Sequence, residues 1–169
     1  MSKGVFAEMD RAVGEFEEAC HSVIKDSGNR TEFPTGAVRD IQEGKGRCDL
    51  MPLDILSAIL DDVVLENIHK FQESGDETWL YDAIFECDLF ENYADMCLEL
   101  AVHFEDGAKK YGENNWQKGI PVARYIDSGV RHYLKHLRGD TDERHDRAFV
   151  WNMVCAIWEV EHHGGGNRE

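Results

Sequence analysis

The chain has 169 residues, of which 42% are hydrophobic and 31% charged, and its formal net charge at pH 7 is −16. These values predict one soluble, cytoplasmic domain with a hydrophobic core, and no apolar run approaches the roughly 20 residues that span a bilayer. The negative charge argues against a nucleic acid polymer as partner, because such a partner requires a basic surface. A small anionic ligand remains compatible with the negative net charge where cationic side chains cluster locally.

The predicted elements, taken in chain order, are mostly helices. Residues 4–25 carry an apolar stripe that predicts an amphipathic helix within the N-terminal segment 1–30. Turn-forming glycines predict an extended loop up to about residue 49, with a short strand near Thr35–Val38. Helices are predicted over 52–71, 79–91, 93–111, 122–138 and 142–161, followed by a flexible tail over 162–169. The fold class is therefore all-α, a helical bundle of about five to six helices with an extended N-terminal loop segment.

An acidic face marks the helix predicted over 93–111. Glu99, His103, Asp106 and Lys110 recur at i, i+4, i+7 and i+11, so they share one side of that helix. Carboxylates on one face suit a hard divalent cation such as Mg²⁺, whereas imidazole suits Mn²⁺ or Zn²⁺ better, so His103 is also a candidate for substrate binding. The alternative is a solvated face held by i,i+4 ion pairs.

Cations cluster in two places despite the acidic composition. One cluster includes Lys110 with Arg131 and His132 on the helix predicted over 122–138. The other is the glycine-rich segment EGKGRCDL (43–50), which offers Lys45 and Arg47 on tight turns but lacks the spacing of a Walker A loop. Phosphate binding is the functional interpretation, and charge balance at the surface is the alternative.

Aromatic and amide side chains follow the acidic face. Tyr111, Asn115 and Trp116 could stack on a nucleobase and pair with its edge, or Trp116 could close the end of the bundle. Asn152 lies within the last predicted helix, where a buried amide requires a partner. We therefore predict that these residues contribute to ligand binding.

Five segments together resemble a known family. They are TGAVRD (35–40), GKGRCDLMP (44–52), HFEDGAKKYGENNWQKGIP (103–121), DSGVRHYLKHLRGD (127–140) and HDRAFVWN (145–152). They are similar to the phage-associated dATP/dGTP diphosphohydrolase N-terminal domain, which is grouped with the MazG-like, all-α nucleoside triphosphate pyrophosphohydrolases. The similarity extends over about residues 32–158, apart from a segment near 60–92.

The resemblance implies a homo-oligomeric helical enzyme that hydrolyses a purine deoxynucleoside triphosphate, such as dGTP or dATP, to the monophosphate and pyrophosphate with Mg²⁺ or Mn²⁺. MazG-like enzymes hold metal on an ExxE pair and an ExxD pair. Glu143 and Asp146 match the ExxD pair, whereas Glu99 is followed by His103 instead of a second glutamate. A phage origin would place the protein in the host cytoplasm.

These observations assign candidate roles and leave one alternative open. The catalytic candidates are Glu99, Asp106 and His132, and the metal candidates are Glu99, Asp106, Glu143 and Asp146. The substrate-binding candidates are Lys45, Arg47, His103, Lys110, Tyr111, Asn115, Trp116, Arg131, His145 and Asn152. We expect one α-helical nucleotide-binding domain over 1–161, in which 57–92 is an insertion or oligomer surface. The alternative function is a non-catalytic phage nucleotide-binding protein, a sponge that sequesters a nucleotide immune signal.

Overall fold

The computed structural model describes residues 28–163, so the helix predicted over 4–25 and the end of the predicted tail lie outside the described residues. Two short strands come first, β1 (Arg30–Glu32) and β2 (Val38–Asp40). Six α-helices follow: α1 (Leu53–Leu60), α2 (Val63–Ser74), α3 (Thr78–Glu86), α4 (Tyr93–Tyr111), α5 (Val122–Arg138) and α6 (His145–His163). The predicted all-α helical bundle is confirmed, with a small antiparallel sheet added at its N-terminal end.

Helices α5 and α6 form the central packed pair. Their contact buries Ile126 and Val130 from α5 together with Phe149 and Met153 from α6. Gly129 permits this close approach, because a Cβ atom at that position would lie 2.3 Å from Met153 Cε. Burial of such apolar side chains stabilises the fold by roughly 1.5–3 kcal/mol each.

One predicted helix, 52–71, is divided in two by the structure. Asp61 adopts a left-handed conformation with φ of 53°, which ends α1. Asp62 then caps α2, because its side chain accepts a hydrogen bond from the Leu65 amide at 3.0 Å. Asp61 therefore ends one helix and Asp62 starts the next, although the apolar periodicity of the sequence continues through both positions.

The segment 57–92 contributes to the core as well as to the surface. Leu65, Ile68 and Leu80 are fully buried, so α2 and α3 pack as part of the bundle. Ile59 on α1 and Phe85 on α3 stay more than half exposed. No helix within residues 28–163 combines the length and apolarity that a membrane span requires.

The sheet presents the N-terminal loop to the helices. Strands β1 and β2 pair antiparallel with Thr31 opposite Arg39, and Gly36 makes the turn at φ of 80°. Asn115, in the 3₁₀ turn Asn115–Gln117 between α4 and α5, exchanges two 2.8 Å hydrogen bonds with the Val38 backbone. This amide fixes β2 beside the bundle and places Arg39 and Asp40 against α4, α5 and α6.

Candidate functional site

A cavity of about 590 Å³ lies between the β2 segment and helices α4, α5 and α6. This volume is typical of small-molecule sites, which span about 300–1,000 Å³. Its lining includes five cationic side chains and three carboxylates. The cations are Arg39, Lys45, Arg124, Arg131 and Lys135, and the carboxylates are Asp40, Asp127 and Glu143. A cavity with excess positive charge in a chain of net charge −16 favours an anionic ligand.

Arg39 is the most unusual of these cations. Its guanidinium lies over the Tyr125 ring, 4.7 Å from the centroid, and 5.9 Å from the centroid of Trp151. One nitrogen donates to Asn152 Oδ1, whereas Nη1 is sealed from solvent and has no hydrogen-bond partner in the described part of the chain. Within residues 28–163 no carboxylate forms an ion pair with Arg39. A buried cation without a counter-charge is costly unless a ligand compensates it.

Arg131 and Asp127 attach the glycine-rich loop to α5. Arg131 donates to the Lys45 carbonyl at 3.0 Å and pairs with Asp127. Asp127 accepts from the Cys48 amide and from Gln42 Nε2, both at 2.7 Å. The carbonyl and carboxylate partners hold the Arg131 guanidinium at the cavity wall, where it can still meet a phosphate.

The other predicted phosphate-binding cations differ in their placement. Lys45 lines the cavity and pairs with Asp40 at 3.3 Å. Lys110 pairs with the same Asp40 carboxylate at 3.1 Å but does not line the cavity. Arg47 forms two hydrogen bonds with Asp49 and does not line the cavity, so its predicted substrate contact has no geometric support.

His103 faces the cavity as a neutral imidazole. It is 6% exposed, and its Nδ1 is buried without a hydrogen-bond partner. Burial, followed by the charges of Arg147 and Arg39, lowers the pKa of His103 from 6.5 to about 3. It is therefore uncharged at neutral pH and has one nitrogen available to a ligand.

The low pKa of His103 predicts loss of stability in acid. Between pH 6.5 and about 3 the unfolded chain binds a proton that folded His103 does not, so the free energy of unfolding falls as pH falls. From about pH 7.5 to about pH 5 this effect is about 2 kcal/mol. Urea unfolding at the two pH values should show a smaller loss for His103→Gln than for the wild type. Equal losses in the two proteins would contradict the prediction.

Aromatic rings form a second cavity of about 380 Å³ beside the first. Phe104, Tyr111 and Trp116 line it, and the two cavities share Tyr111 and Trp151. The Trp151 indole nitrogen is buried without a hydrogen-bond partner. Trp116 also packs against Phe104, with ring centroids 5.3 Å apart, so it serves the core as well as the cavity wall.

Two predicted ligand amides have structural partners. Both functional ends of the Asn115 carboxamide bind the Val38 backbone, so Asn115 positions β2. Asn152 donates to the Ala148 carbonyl at 2.7 Å and accepts from Arg39, so it orients that guanidinium. Both residues line the cavity, but their amide groups already bind these partners within the protein.

The four carboxylates predicted as metal ligands do not form one open group. Arg147 from α6 is 1% exposed and lies 3.4 Å from both Glu99 Oε2 and Asp106 Oδ2. Glu99 and Asp106 share a face of α4, as expected, but that face meets an arginine, and neither residue lines the cavity. Asp146 pairs with Arg144 at 2.7 Å. Within residues 28–163, arginines therefore pair with three of the four carboxylates, and the predicted metal role of these three stays a prediction.

The fourth carboxylate, Glu143, lies beside a histidine pair. His132 Nδ1 is 2.9 Å from His145 Nδ1, and His145 Nε2 is 2.8 Å from Asp142 Oδ1. Potential ligand atoms of His132, Glu143 and His145 all lie within 4.8 Å of one another. Burial and the neighbouring His145 lower the pKa of His132. Of the three predicted catalytic residues, only His132 lines the cavity.

Sequence reasoning missed three lining residues that shape the site. Arg39, Arg124 and Asp127 received no role from their spacing. Asp127 was detectable, because a carboxylate within the otherwise apolar stripe of α5 requires a partner when buried. Arg39 gave no such signal, since its position depends on how β2 docks on the helices.

Comparison with known proteins identifies the family of this chain. The family model for the dATP/dGTP diphosphohydrolase N-terminal domain matches residues 72–168, more than half of the chain. The match includes α4, α5 and α6, whereas the β2 and glycine-rich loop side of the cavity precedes it. Neither the curated proteins nor the solved structures gave a match. The chain therefore belongs to the dATP/dGTP diphosphohydrolase N-terminal domain family.

Proposed function

We propose that this protein is a metal-dependent diphosphohydrolase that converts a purine deoxynucleoside triphosphate, such as dGTP or dATP, to the monophosphate and pyrophosphate. Membership of the family supports the reaction class. The observation that carries the assignment to this cavity is Arg39, a buried cation whose Nη1 has no partner. An anionic ligand would supply the missing counter-charge and hydrogen-bond acceptor.

The triphosphate would occupy the cationic side of the cavity. Lys45, Arg131 and Lys135 are partly exposed there, with 36%, 17% and 29% of their side chains accessible. Each of these three cations already lies beside a carboxylate. The negative charge of that carboxylate offsets part of the positive charge at the cavity before the ligand binds. Their arrangement around Arg39 would neutralise the charge that develops on phosphate oxygens during hydrolysis.

The base would occupy the aromatic side. Trp151 offers an indole N–H and His103 offers one ring nitrogen, and neither atom has a partner. Purine bases carry both hydrogen-bonding edges and stacking faces, so they can use such groups together with the adjacent Tyr111 ring. The choice between guanine and adenine would depend on whether His103 Nδ1 carries the ring proton, and so donates to the base, or accepts from it.

The metal is part of the proposal. Mg²⁺ usually binds substrate phosphates together with only one or two protein carboxylates. Glu143 suits that role, because it lines the cavity and makes no ion pair within residues 28–163. Mg²⁺ or Mn²⁺ bound there would polarise the phosphoryl oxygens and a water molecule. Glu99, Asp106 and Asp146 are proposed to serve the fold through their arginines.

A homo-oligomer is also proposed from the exposed apolar surface. On α1, Ile55 and Ile59 are 55% and 71% exposed, and on α4 Leu98 is 69% exposed. Large apolar side chains that remain in water favour association with another chain.

Product analysis tests the proposed activity. The purified protein would be incubated with each of the four deoxynucleoside triphosphates and with Mg²⁺, Mn²⁺ or EDTA, and products would be separated by ion-exchange chromatography. We expect monophosphate and pyrophosphate from dGTP or dATP with metal, and none with EDTA. If one nucleotide elutes with the protein and is recovered intact after denaturation, the protein is a nucleotide sponge and the enzymatic proposal is wrong.

A further inference from the structure

We infer that His132, Glu143 and His145 form a binding site for a divalent transition metal, such as Mn²⁺ or Co²⁺, at the wall of the cavity. The inference deepens the proposed function by naming the residues that hold the metal. It replaces the carboxylate group predicted from the ExxD spacing, of which only Glu143 is retained. His132 is thereby assigned as a ligand, and His145 moves from substrate contact to ligand.

The spacing of the two imidazoles fits a shared ion. Their Nδ1 atoms face each other at 2.9 Å. Two neighbouring ligand atoms that are each about 2.1 Å from a metal, at a right angle, lie about 3 Å apart. Glu143 brings a potential ligand atom within 4.8 Å of both, and its carboxylate makes no ion pair in the described part of the chain.

Asp142 determines which His145 nitrogen is available. Because Asp142 Oδ1 accepts from His145 Nε2 at 2.8 Å, the proton of the neutral ring resides on Nε2. The Nδ1 atom, which lies 2.9 Å from His132 Nδ1, then carries the lone pair that a metal can accept. A carboxylate that orients a histidine in this way is the usual outer partner of a metal-binding imidazole. His145 itself is 2% exposed.

A second group of acidic and imidazole side chains is less suitable. Asp140, Asp142 and His145 also lie within 4.8 Å of one another, but Arg138 holds Asp140 through both of its carboxylate oxygens. Asp142 is already engaged by His145 and lies 3.8 Å from Lys135. In the first group, by contrast, His132 and Glu143 line the cavity, and Glu143 makes no ion pair within residues 28–163.

The donor set determines the choice of metal. Two nitrogen atoms and one carboxylate suit Mn²⁺, Co²⁺ or Zn²⁺, whereas Mg²⁺ prefers oxygen ligands throughout. Without nucleotide, we therefore expect Mn²⁺ and Co²⁺ to bind at least about tenfold more tightly than Mg²⁺. Only the affinity order without nucleotide is predicted, because substrate phosphates add oxygen ligands of their own.

The test measures metal binding directly, without nucleotide. The intact protein would be titrated with Mn²⁺ and with Mg²⁺ by calorimetry, and pulsed electron paramagnetic resonance of the Mn²⁺ complex would detect coupling to imidazole nitrogen. We expect one Mn²⁺ per chain with nitrogen coupling. Weak binding without nitrogen coupling, or equal affinities for Mn²⁺ and Mg²⁺, would overturn the inference even if no variant could be purified.

Variants assign the site to individual residues. His132→Asn and Glu143→Gln should weaken Mn²⁺ binding at least about tenfold, and Asp142→Ala should weaken it about tenfold through the loss of an outer partner. His136→Asn is the matched control, because His136 is an exposed histidine on the same helix as His132. Unchanged Mn²⁺ affinity in His132→Asn would reject the site. Metal binding without nucleotide hydrolysis would support the site and reject only the proposed activity.

Discussion

Replacement of Arg39 by methionine should weaken binding of dGTP or dATP by about a hundredfold or more, since removing one partner of a buried charged contact usually costs about 2–5 kcal/mol. The Nη1 atom of Arg39 has no hydrogen-bond partner among residues 28–163, so we expect it to donate to a bound ligand. Calorimetric titration with a non-hydrolysable analogue measures the dissociation constant.

Stability separates this effect from misfolding. Methionine would fill the space between Tyr125 and Trp151 and remove a buried cation, so the free energy of unfolding should change by no more than about 1 kcal/mol. Arg47→Met is the matched control, because Arg47 pairs with Asp49 outside the cavity, and its affinity should stay within about twofold of wild type. Wild-type affinity in Arg39→Met would remove the main support for this cavity as the anion site.

The double variant Glu99→Gln, Asp106→Asn should lower the free energy of unfolding by about 3 kcal/mol. It removes two carboxylates from Arg147, which is 1% exposed and contacts both at 3.4 Å. Breaking a buried ion pair from one side usually costs about 3–5 kcal/mol, and the 27% exposure of Glu99 reduces this cost. Urea unfolding followed by circular dichroism measures the change.

Adding Arg147→Met to that double variant supplies the control. The triple variant no longer buries the cation, so we expect it to recover at least about half of the lost stability. If the double variant keeps wild-type stability but loses metal-dependent turnover, Glu99 and Asp106 act as metal ligands, as predicted from the acidic face of the helix over 93–111. Such a result would refute the structural role assigned to the two carboxylates here.

Helix boundaries were predictable where the sequence contains residue types that cap helices. The predicted helices over 93–111 and 122–138 are confirmed as α4 and α5. The Asn92 side chain caps the start of α4 by accepting from the Asp95 amide, and Gly139 ends α5 at φ of 84°. The break at Asp61 was not predictable in this way, because its left-handed conformation interrupts an apolar periodicity that continues on both sides.

The site was predictable only in part, because spacing along one helix does not reveal the facing helix. The periodicity correctly placed Glu99 and Asp106 on one face of α4. It did not reveal that Arg147 of α6 would occupy that face. His132 and His145 were chosen separately, and their 2.9 Å contact depends on how α5 packs against the start of α6. The position of Arg39 was not predictable, because it depends on how Asn115 fixes β2 against the helices.

A crystal structure with a non-hydrolysable dGTP or dATP analogue and Mn²⁺ tests the central claim most directly. The account predicts electron density for the nucleotide in the 590 Å³ cavity, with a phosphate oxygen within hydrogen-bonding distance of Arg39 Nη1. It also predicts that the base lies towards Trp151 and His103. A nucleotide bound at the Glu99 and Asp106 face of α4, with Arg39 left without a ligand contact, would contradict the account.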